Sequence, residues 1–372
     1  MKILRVAQKL YPDVVGGGPY HVHAMSRDQA EMGHDVTVVT IRQDPTLPKR
    51  EEKDGYTIRR VDPTVELLGN TVSSGVAQIL YKADDFDVVH AHSHLYFSTN
   101  LAALNRAMDE TPLAITNHGL YSQNAPEWLF DGYLHTIGRW TFNQADVVFC
   151  YTEEDKERVR RFGVDTDIAV VSNGIDQERF TPEGPTSDLV STERTVVLFV
   201  GRLVEGKRPQ DALDAIARLR EDGADVELYF CGEGPLRESL ERRAAEIGIS
   251  DAVTFLGHVP YDEMPQIYRS ADILLLTSRA EGLPRTVLES LASGVPVVVS
   301  NLEQVAPVIE GGGETVPVGD VAGFSAALER VLEREYNPEK LLDKGLSWED
   351  TTSQTTSVLE ALSDKDNTIT EK

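Results

Sequence analysis

At 372 residues with 41% hydrophobic content, the chain is long enough for two ordinary domains with sizeable cores. Its 61 acidic residues against 36 basic ones, a net charge of −25, exclude the basic footprint that a nucleic-acid binder needs. No apolar run approaches the roughly 18 residues of a spanning helix, and the N-terminus lacks a signal-peptide pattern, so a cytoplasmic protein is expected.

The chain opens on Lys2-Ile-Leu-Arg-Val-Ala7, an apolar run that predicts a buried strand. Gly16-Gly17-Gly18-Pro19 then interrupts it before an amphipathic helix predicted from Tyr20 to Met32. Gly33 to Thr40 reads as a helix stop and a second strand, and Asp87-Val-Val-His90, Leu113-Ala-Ile-Thr116 and Asp146-Val-Val-Phe-Cys150 as later strands with helical segments between them. The polar stretch Thr181 to Asp188 has the composition of a linker. After it the same grammar restarts, with strands predicted at Val196–Val200, Val226–Phe230, Val253–Leu256, Ile273–Leu276 and Val295–Val299 and helices at Pro209–Arg220 and Leu236–Ile247. Ser347 to Leu362 predicts a last helix, followed by ten fraying residues.

Short apolar strands alternating with helices imply parallel sheets covered on both faces. The expected fold class is therefore α/β, with two doubly wound Rossmann-like domains at 1–185 and 190–346 and a C-terminal segment at 347–372. Ligands of such sheets bind outside the carboxyl ends of the strands, so a central cleft is the expected site.

Several residue patterns carry chemistry. Asp85-Phe-Asp87 spells a metal-binding DxD, but it precedes a strand, which places it at the sheet edge away from the ligand side; a solvated turn is the expectation. His90, His92 and His94 alternate, so one strand would present all three on one face, as metal ligands or as polar contacts for a ligand. His21 and His23 lie at the first helix, and His118 follows a strand in Thr116-Asn-His-Gly119. Trp128, Leu129, Phe130, Tyr133, Trp140 and Phe142 form an aromatic-rich segment, read either as core packing or as a greasy surface for a lipid-like ligand or peripheral membrane contact.

In the second half, Gly201-Arg202 with Lys207 leaves the first strand, and an arginine fork plus a mobile lysine suits a diphosphate without a metal. Gly232-Glu-Gly234-Pro235 follows another strand, where glycines allow close backbone approach to a ligand or merely a tight turn. Val253 to Gly257 offers backbone groups to a nucleobase or is a plain core strand. Glu281-Gly282-Leu283-Pro284 runs into a helix carrying Glu289. With Pro284 in the first turn, the two acids flank the positive end of the helix dipole, roughly on one side. Such a place suits hydroxyls beside a phosphate. Cys150 and Cys231 each end an apolar run and read as buried thiols.

This set, Gly16-Gly17, Gly201-Arg202 with Lys207, Gly232 to Pro235, and Glu281 with Glu289, resembles the retaining glycosyltransferases of family GT4, which have the GT-B fold. The resemblance runs from about residue 2 to about residue 362; its most specific tract is Glu281 to Val298, with Asn173 to Pro182 resembling the family's segment before the interdomain linker. It implies that Arg202 and Lys207 bind the donor diphosphate, that Glu289 binds the ribose and Glu281 the transferred sugar, and that Gly16 and Gly17 lie under the phosphates. It further implies that His118 is an active-site histidine near that sugar, that no metal or other cofactor is needed, and that the last helix returns to the N-terminal domain. The expected partners are a nucleotide diphosphate sugar and a glycan or lipid-linked acceptor. A sugar-nucleotide epimerase of the same architecture, or an idle nucleotide-sugar-binding subunit, stands as the alternative. With 11 lysines against 25 arginines and so acidic a surface, the composition fits a halophile, where salt screens self-repulsion; an ordinary acidic enzyme is the other reading.

Overall fold

The computed structural model describes residues 1–67, 70–120, 127–334, 336 and 346–370. The chain forms two compact units, one of Met1–Leu120, Glu127–Ser172 and the segment from Glu349 onward, the other within Asn173–Trp348. Each is built on its own sheet.

In the first unit, strands β1 (Lys2–Val6), β2 (Asp35–Ile41), β3 (Arg50–Lys53) and β4 (Tyr56–Val61) precede a small antiparallel pair, β5 (Val65–Leu67) and β6 (Asn70–Val72). Then come β7 (Val88–His92), β8 (Leu113–Thr116), β9 (Val147–Cys150) and β10 (Ile168–Val170). The main sheet has the order β10-β9-β8-β7-β1-β2-β4-β3, parallel except at the β3–β4 hairpin. That hairpin was not foreseen. Its Arg-Glu-Glu-Lys edge strand has no apolar period, and only the turn Asp54-Gly55, both at positive φ, marks it. The chain winds outward from β1 to β2 and β4, then returns to β7 on the other side of β1. This reversal opens a crevice at the carboxyl ends of β1 and β7.

The helix after β1 spans Gly17–Glu31 and so starts three residues before the expected Tyr20. Gly16 at φ 151 precedes it, and the Tyr20 N–H donates to the Gly16 carbonyl (3.0 Å), so Pro19 sits in the first turn, where its missing N–H costs nothing. Gly17 is thus helical rather than part of a loop. The last helix, Trp348–Thr370, runs beyond the expected Leu362, while residues 371 and 372 lie outside the described residues. It packs on the first unit: Leu359 joins Ile3, Val36, Val38 and Phe149 in one core cluster, and the Gln29 Nε2 donates to Thr356 Oγ1 (2.9 Å).

The second unit holds β11 (Thr195–Val200), β12 (Val226–Cys231), β13 (Val253–Gly257), β14 (Ile273–Leu276), β15 (Val297–Ser300) and β16 (Gly313–Val316). Their order is β13-β12-β11-β14-β15-β16, parallel throughout. Phe199, Leu213, Ile216, Leu228, Phe230, Leu275 and Phe324 fill the core under it. Winding reverses between β11 and β14, so the loops that leave these two strands share one end of the sheet. The stretch Thr181 to Asp188 lies against this unit, with Ser187 N–H donating to Ser270 Oγ (2.8 Å) and Arg269 Nε to the Pro185 carbonyl (2.8 Å).

Candidate active site

In the second unit the loop leaving β11 is held from two sides. The Gly201 N–H donates to the Cys231 carbonyl (3.0 Å), Leu203 N–H to Glu233 (2.9 Å), and Leu236 N–H back to Leu203 (3.1 Å). Backbones touch so closely here that a Cβ on Gly232 would stand 2.0 Å from the Gly201 oxygen, and one on Gly234 2.3 Å from the Leu203 oxygen. Gly232 and Gly234 therefore serve backbone packing that sets the Arg202 loop. On the other side, Thr277 Oγ1 donates to the carbonyls of Lys207 (3.1 Å) and Arg208 (2.8 Å), and Arg279 N–H to Gly206 (2.9 Å).

That clamp brings Lys207 to Glu281, Nζ to Oε1 at 2.5 Å, with both side chains largely buried. The Gln304 amide donates to the Glu281 carbonyl and fixes the loop beyond β14. Arg202 is exposed, and no ion pair to it occurs among the described residues. One cation is thus already paired and the other available to an anion.

The helix Arg285–Ala292 begins one residue later than expected: Pro284, at φ −72° and ψ 115°, is its N-cap rather than part of its first turn. No side chain caps this end, which leaves it suited to an anionic ligand. Gly282, Leu283 and Pro284 are all buried, and the Leu283 carbonyl accepts from Asn173 Nδ2 (3.3 Å). Glu289 accepts from Tyr261 OH (3.1 Å) and Tyr268 OH (2.9 Å), with Arg285 Nε 3.5 Å away. Burial, then the neighbouring Glu289 charge, pushes the Tyr268 hydroxyl well above its ordinary pKa, so it remains a donor. Glu281 and Glu289 are both 4% exposed and have separate protein partners, one a lysine, the other two tyrosines and an arginine. Neither tyrosine nor Arg285 was foreseen. Their only sequence signal is that Tyr261 and Tyr268 are seven residues apart across a short helix, a spacing any packed helix shows.

In the first unit His118 lies after β8 with both ring nitrogens engaged: Nε2 is 3.0 Å from His92 Nδ1, and Nδ1 is 2.7 Å from Tyr151 OH. The His21 ring meets the His118 ring edge-on at 5.2 Å. His23, 200° further round the same helix, turns away and contacts Tyr56 OH (3.0 Å), so only His21 joins this cluster. His90 and His92 share a face, with rings 4.4 Å apart. His94 does not: β7 ends at His92, and Ser93 at φ +66 swings the chain so that the His94 ring packs on Phe142 at 4.7 Å. The expected row of three is therefore a pair plus an outlier, and among the described residues no group of three potential ligands could hold a metal ion.

Asp87 accepts from the Lys2 N–H (2.6 Å), at the amino end of β1 and away from the crevice. The aromatic segment divides. Phe142 is buried, Phe130 and Tyr133 pack against the core, and Trp128, Leu129 and Trp140 are exposed. Cys150 and Cys231 are buried, and burial pushes both thiols up to about 12.

Burial holds His94 near pH 3 and His118 near pH 4, and it depresses His90 and His92 well below the ordinary value. Each depressed histidine stabilises the fold fully above its unfolded pKa, near 6.5, and loses that contribution as pH falls through its folded value. Stability should then decline from about pH 6.5 downward, by up to about 1.4 kcal/mol per pH unit for each of the four. Urea unfolding from pH 7.5 to 5 checks this, and His94→Phe should flatten the slope by one such increment. A stability independent of pH over that range would refute the buried, neutral state.

The chain is thus two doubly wound units with a cation, carboxylate and helix-end cluster in the second. Family models describe both parts: residues 15–179 match Glycosyltransferase Family 4 and residues 185–347 match Glycosyl transferases group 1. The chain is 30% identical over 379 residues to D-inositol 3-phosphate glycosyltransferase of Geodermatophilus obscurus, covering 90% of this chain and 82% of that one. It belongs to the GT4-type glycosyltransferases. It is also 29% identical to a glycogen synthase of Mycobacterium tuberculosis, over 90% of this chain and 86% of that protein. The fold of this glycosyltransferase is GT-B, similar to Anabaena HepE in complex with UDP-glucose, at a TM-score of 0.77 and 18% identity over 97% of this chain and 100% of that one. No helix among the described residues is long and apolar enough to cross a membrane.

Proposed function

We propose that this glycosyltransferase moves a hexose-like sugar from a nucleotide diphosphate donor to a hydroxyl of a glycan or lipid-linked acceptor, with retention of anomeric configuration. The observation that carries this reading is the loop pair at the carboxyl ends of β11 and β14, where exposed Arg202, the Lys207–Glu281 pair and the uncapped helix end converge on one side of the second unit's sheet. Arg202 and Lys207 neutralise the diphosphate as its charge grows on departure, so no metal is required. Glu289, held by two tyrosine hydroxyls, accepts from the ribose hydroxyls, and Glu281 from those of the sugar. The leaving phosphate oxygen takes the acceptor's proton, so no protein nucleophile enters the reaction.

The first unit supplies Gly16 and Gly17 at a helix start, the His21 ring, and a neutral imidazole at His118 for hydroxyl contacts. HepE, solved with UDP-glucose, supports a uridine diphosphate sugar as the first donor to try. The acidic surface suits work at high salt.

A thermal-shift screen of nucleotides and nucleotide sugars at high and low salt identifies the donor, since a bound ligand raises apparent stability. Proton NMR of the product then reads its anomeric configuration. Retention is expected. An inverted product, or conversion of donor to an epimer with the acceptor omitted, would overturn this reading.

A further inference from the structure

Arg5, on the middle strand of the first unit, is 0% exposed and among the described residues makes no ion pair. On the same face of β1, Ile3 and Ala7 are ordinary core residues. An apolar side chain would fit this row without the cost of burying a charge that has no counterion.

Three groups present acceptors to the terminal nitrogens of the guanidinium, while its Nε is buried without a hydrogen-bond partner. Arg5 donates to Ser26 Oγ (2.7 Å), to Gln29 Oε1 (2.5 Å) and to His90 Nδ1 (3.4 Å). The Ser26 hydroxyl proton is spent on the Val22 carbonyl (2.6 Å), and the Gln29 amide nitrogen on Thr356 Oγ1 (2.9 Å) in the last helix. Because a guanidinium has only N–H donors, His90 Nδ1 must accept, which places the ring proton on Nε2, where it donates to Thr116 Oγ1 (2.8 Å). The His92 ring lies 4.4 Å from that of His90, tilted by 36°, and reaches His118 through its Nδ1 (3.0 Å), while His92 Nε2 is buried without a hydrogen-bond partner.

We propose that Arg5 is a positioning residue, which fixes the tautomer of His90 and, through the row His90, His92 and His118, holds the imidazole cluster uncharged and in a single arrangement. A proton on His90 would set two positive charges side by side in a dry interior, and one on His92 would lie a single ring further off. Among the described residues, the titratable groups facing this row are His21 from the helix Gly17–Glu31, His118 beyond β8, Tyr151 beyond β9 and Tyr56 on β4, and none is a carboxylate that would offset the charge. In keeping with that, burial first and Arg5 second depress His90, and Arg5 itself, lowered to about 9 by burial, is still charged at neutral pH.

The functional half of this inference rests on the reading of His118 as a substrate contact, and the test separates the two. Nitrogen-15 NMR of the histidine-labelled full chain, wild type against Arg5→Met, reads tautomer and titration directly. In the wild type His90 should be a single Nε2–H tautomer that stays neutral at pH 5. In Arg5→Met it should show both tautomers and gain its proton at higher pH, and the acid limb of kcat/KM should move up by about one pH unit, a tenfold change at a fixed pH on that limb. Arg5→Lys is the second variant should Arg5→Met not fold: it keeps the charge and loses the fork, so the cluster should stay neutral while the tautomer becomes mixed. An unchanged His90 spectrum in whichever variant folds overturns the proposal. In Arg5→Met, a changed spectrum with an unmoved acid limb upholds the hold of Arg5 on His90 and refutes the role of His118.

Discussion

Lys207→Ala should lower kcat by about 10²–10³-fold, the usual effect of removing one preorganised donor from a developing oxyanion. Stability should fall as well, by about 3–5 kcal/mol, because the variant leaves Glu281 buried at 4% exposure with its 2.5 Å counterion gone. The two effects come from different causes, and a double variant separates them. Lys207→Ala with Glu281→Gln removes the orphaned charge and should recover most of the lost Tm, yet remain inactive. If Lys207 served only to neutralise Glu281, the double variant would turn over as fast as Glu281→Gln alone. Steady-state kinetics and thermal unfolding of the two variants decide between these outcomes.

The second large effect is expected at Glu289, and it should appear in KM. A carboxylate accepting from a ribose hydroxyl contributes about 1.5–3 kcal/mol, so Glu289→Ala should raise the donor KM from about tenfold to a hundredfold. Its kcat should change little, because the ribose contact is the same in ground and transition states. Glu289→Ala also removes the carboxylate that accepts from two tyrosine hydroxyls and lies beside Arg285, and should lower Tm. Glu289→Gln keeps the volume and a carbonyl acceptor; it should cost little stability and still raise the donor KM about tenfold, since a neutral acceptor is worth roughly half a charged one. Unaltered donor KM in both variants would remove Glu289 from the donor site.

Fold class was legible because both halves repeat the same apolar strands separated by helices, a pattern that parallel sheets alone require. The all-charged strand Arg50–Lys53 was not, since an edge strand needs no apolar period and is formed by pairing with Tyr56–Val61. Arg202, Lys207, Glu281 and Glu289 were visible as charges at strand exits and a helix start. Tyr261, Tyr268 and Tyr151 were not, because each acts through a partner far along the chain: 28 residues for Tyr261 to Glu289, 21 for Tyr268 to Glu289, 33 for Tyr151 to His118. The three alternating histidines misled for a local reason, as a strand's period of two holds only while the strand lasts, and this one ends before His94.

By itself the sequence determined the two α/β halves and the residues at the exits of β11 and β14, because periodicity and glycine and proline punctuation are local properties of a chain. The tertiary structure alone decided what each of those residues touches: that Lys207 is already spent on Glu281 while Arg202 is open, that Gly232 and Gly234 hold a loop, and that a buried arginine governs a row of histidines. Hydrogen bonds and ion pairs form between groups brought together by chain winding, and that proximity is set by the packing of whole sheets, not by spacing along the sequence.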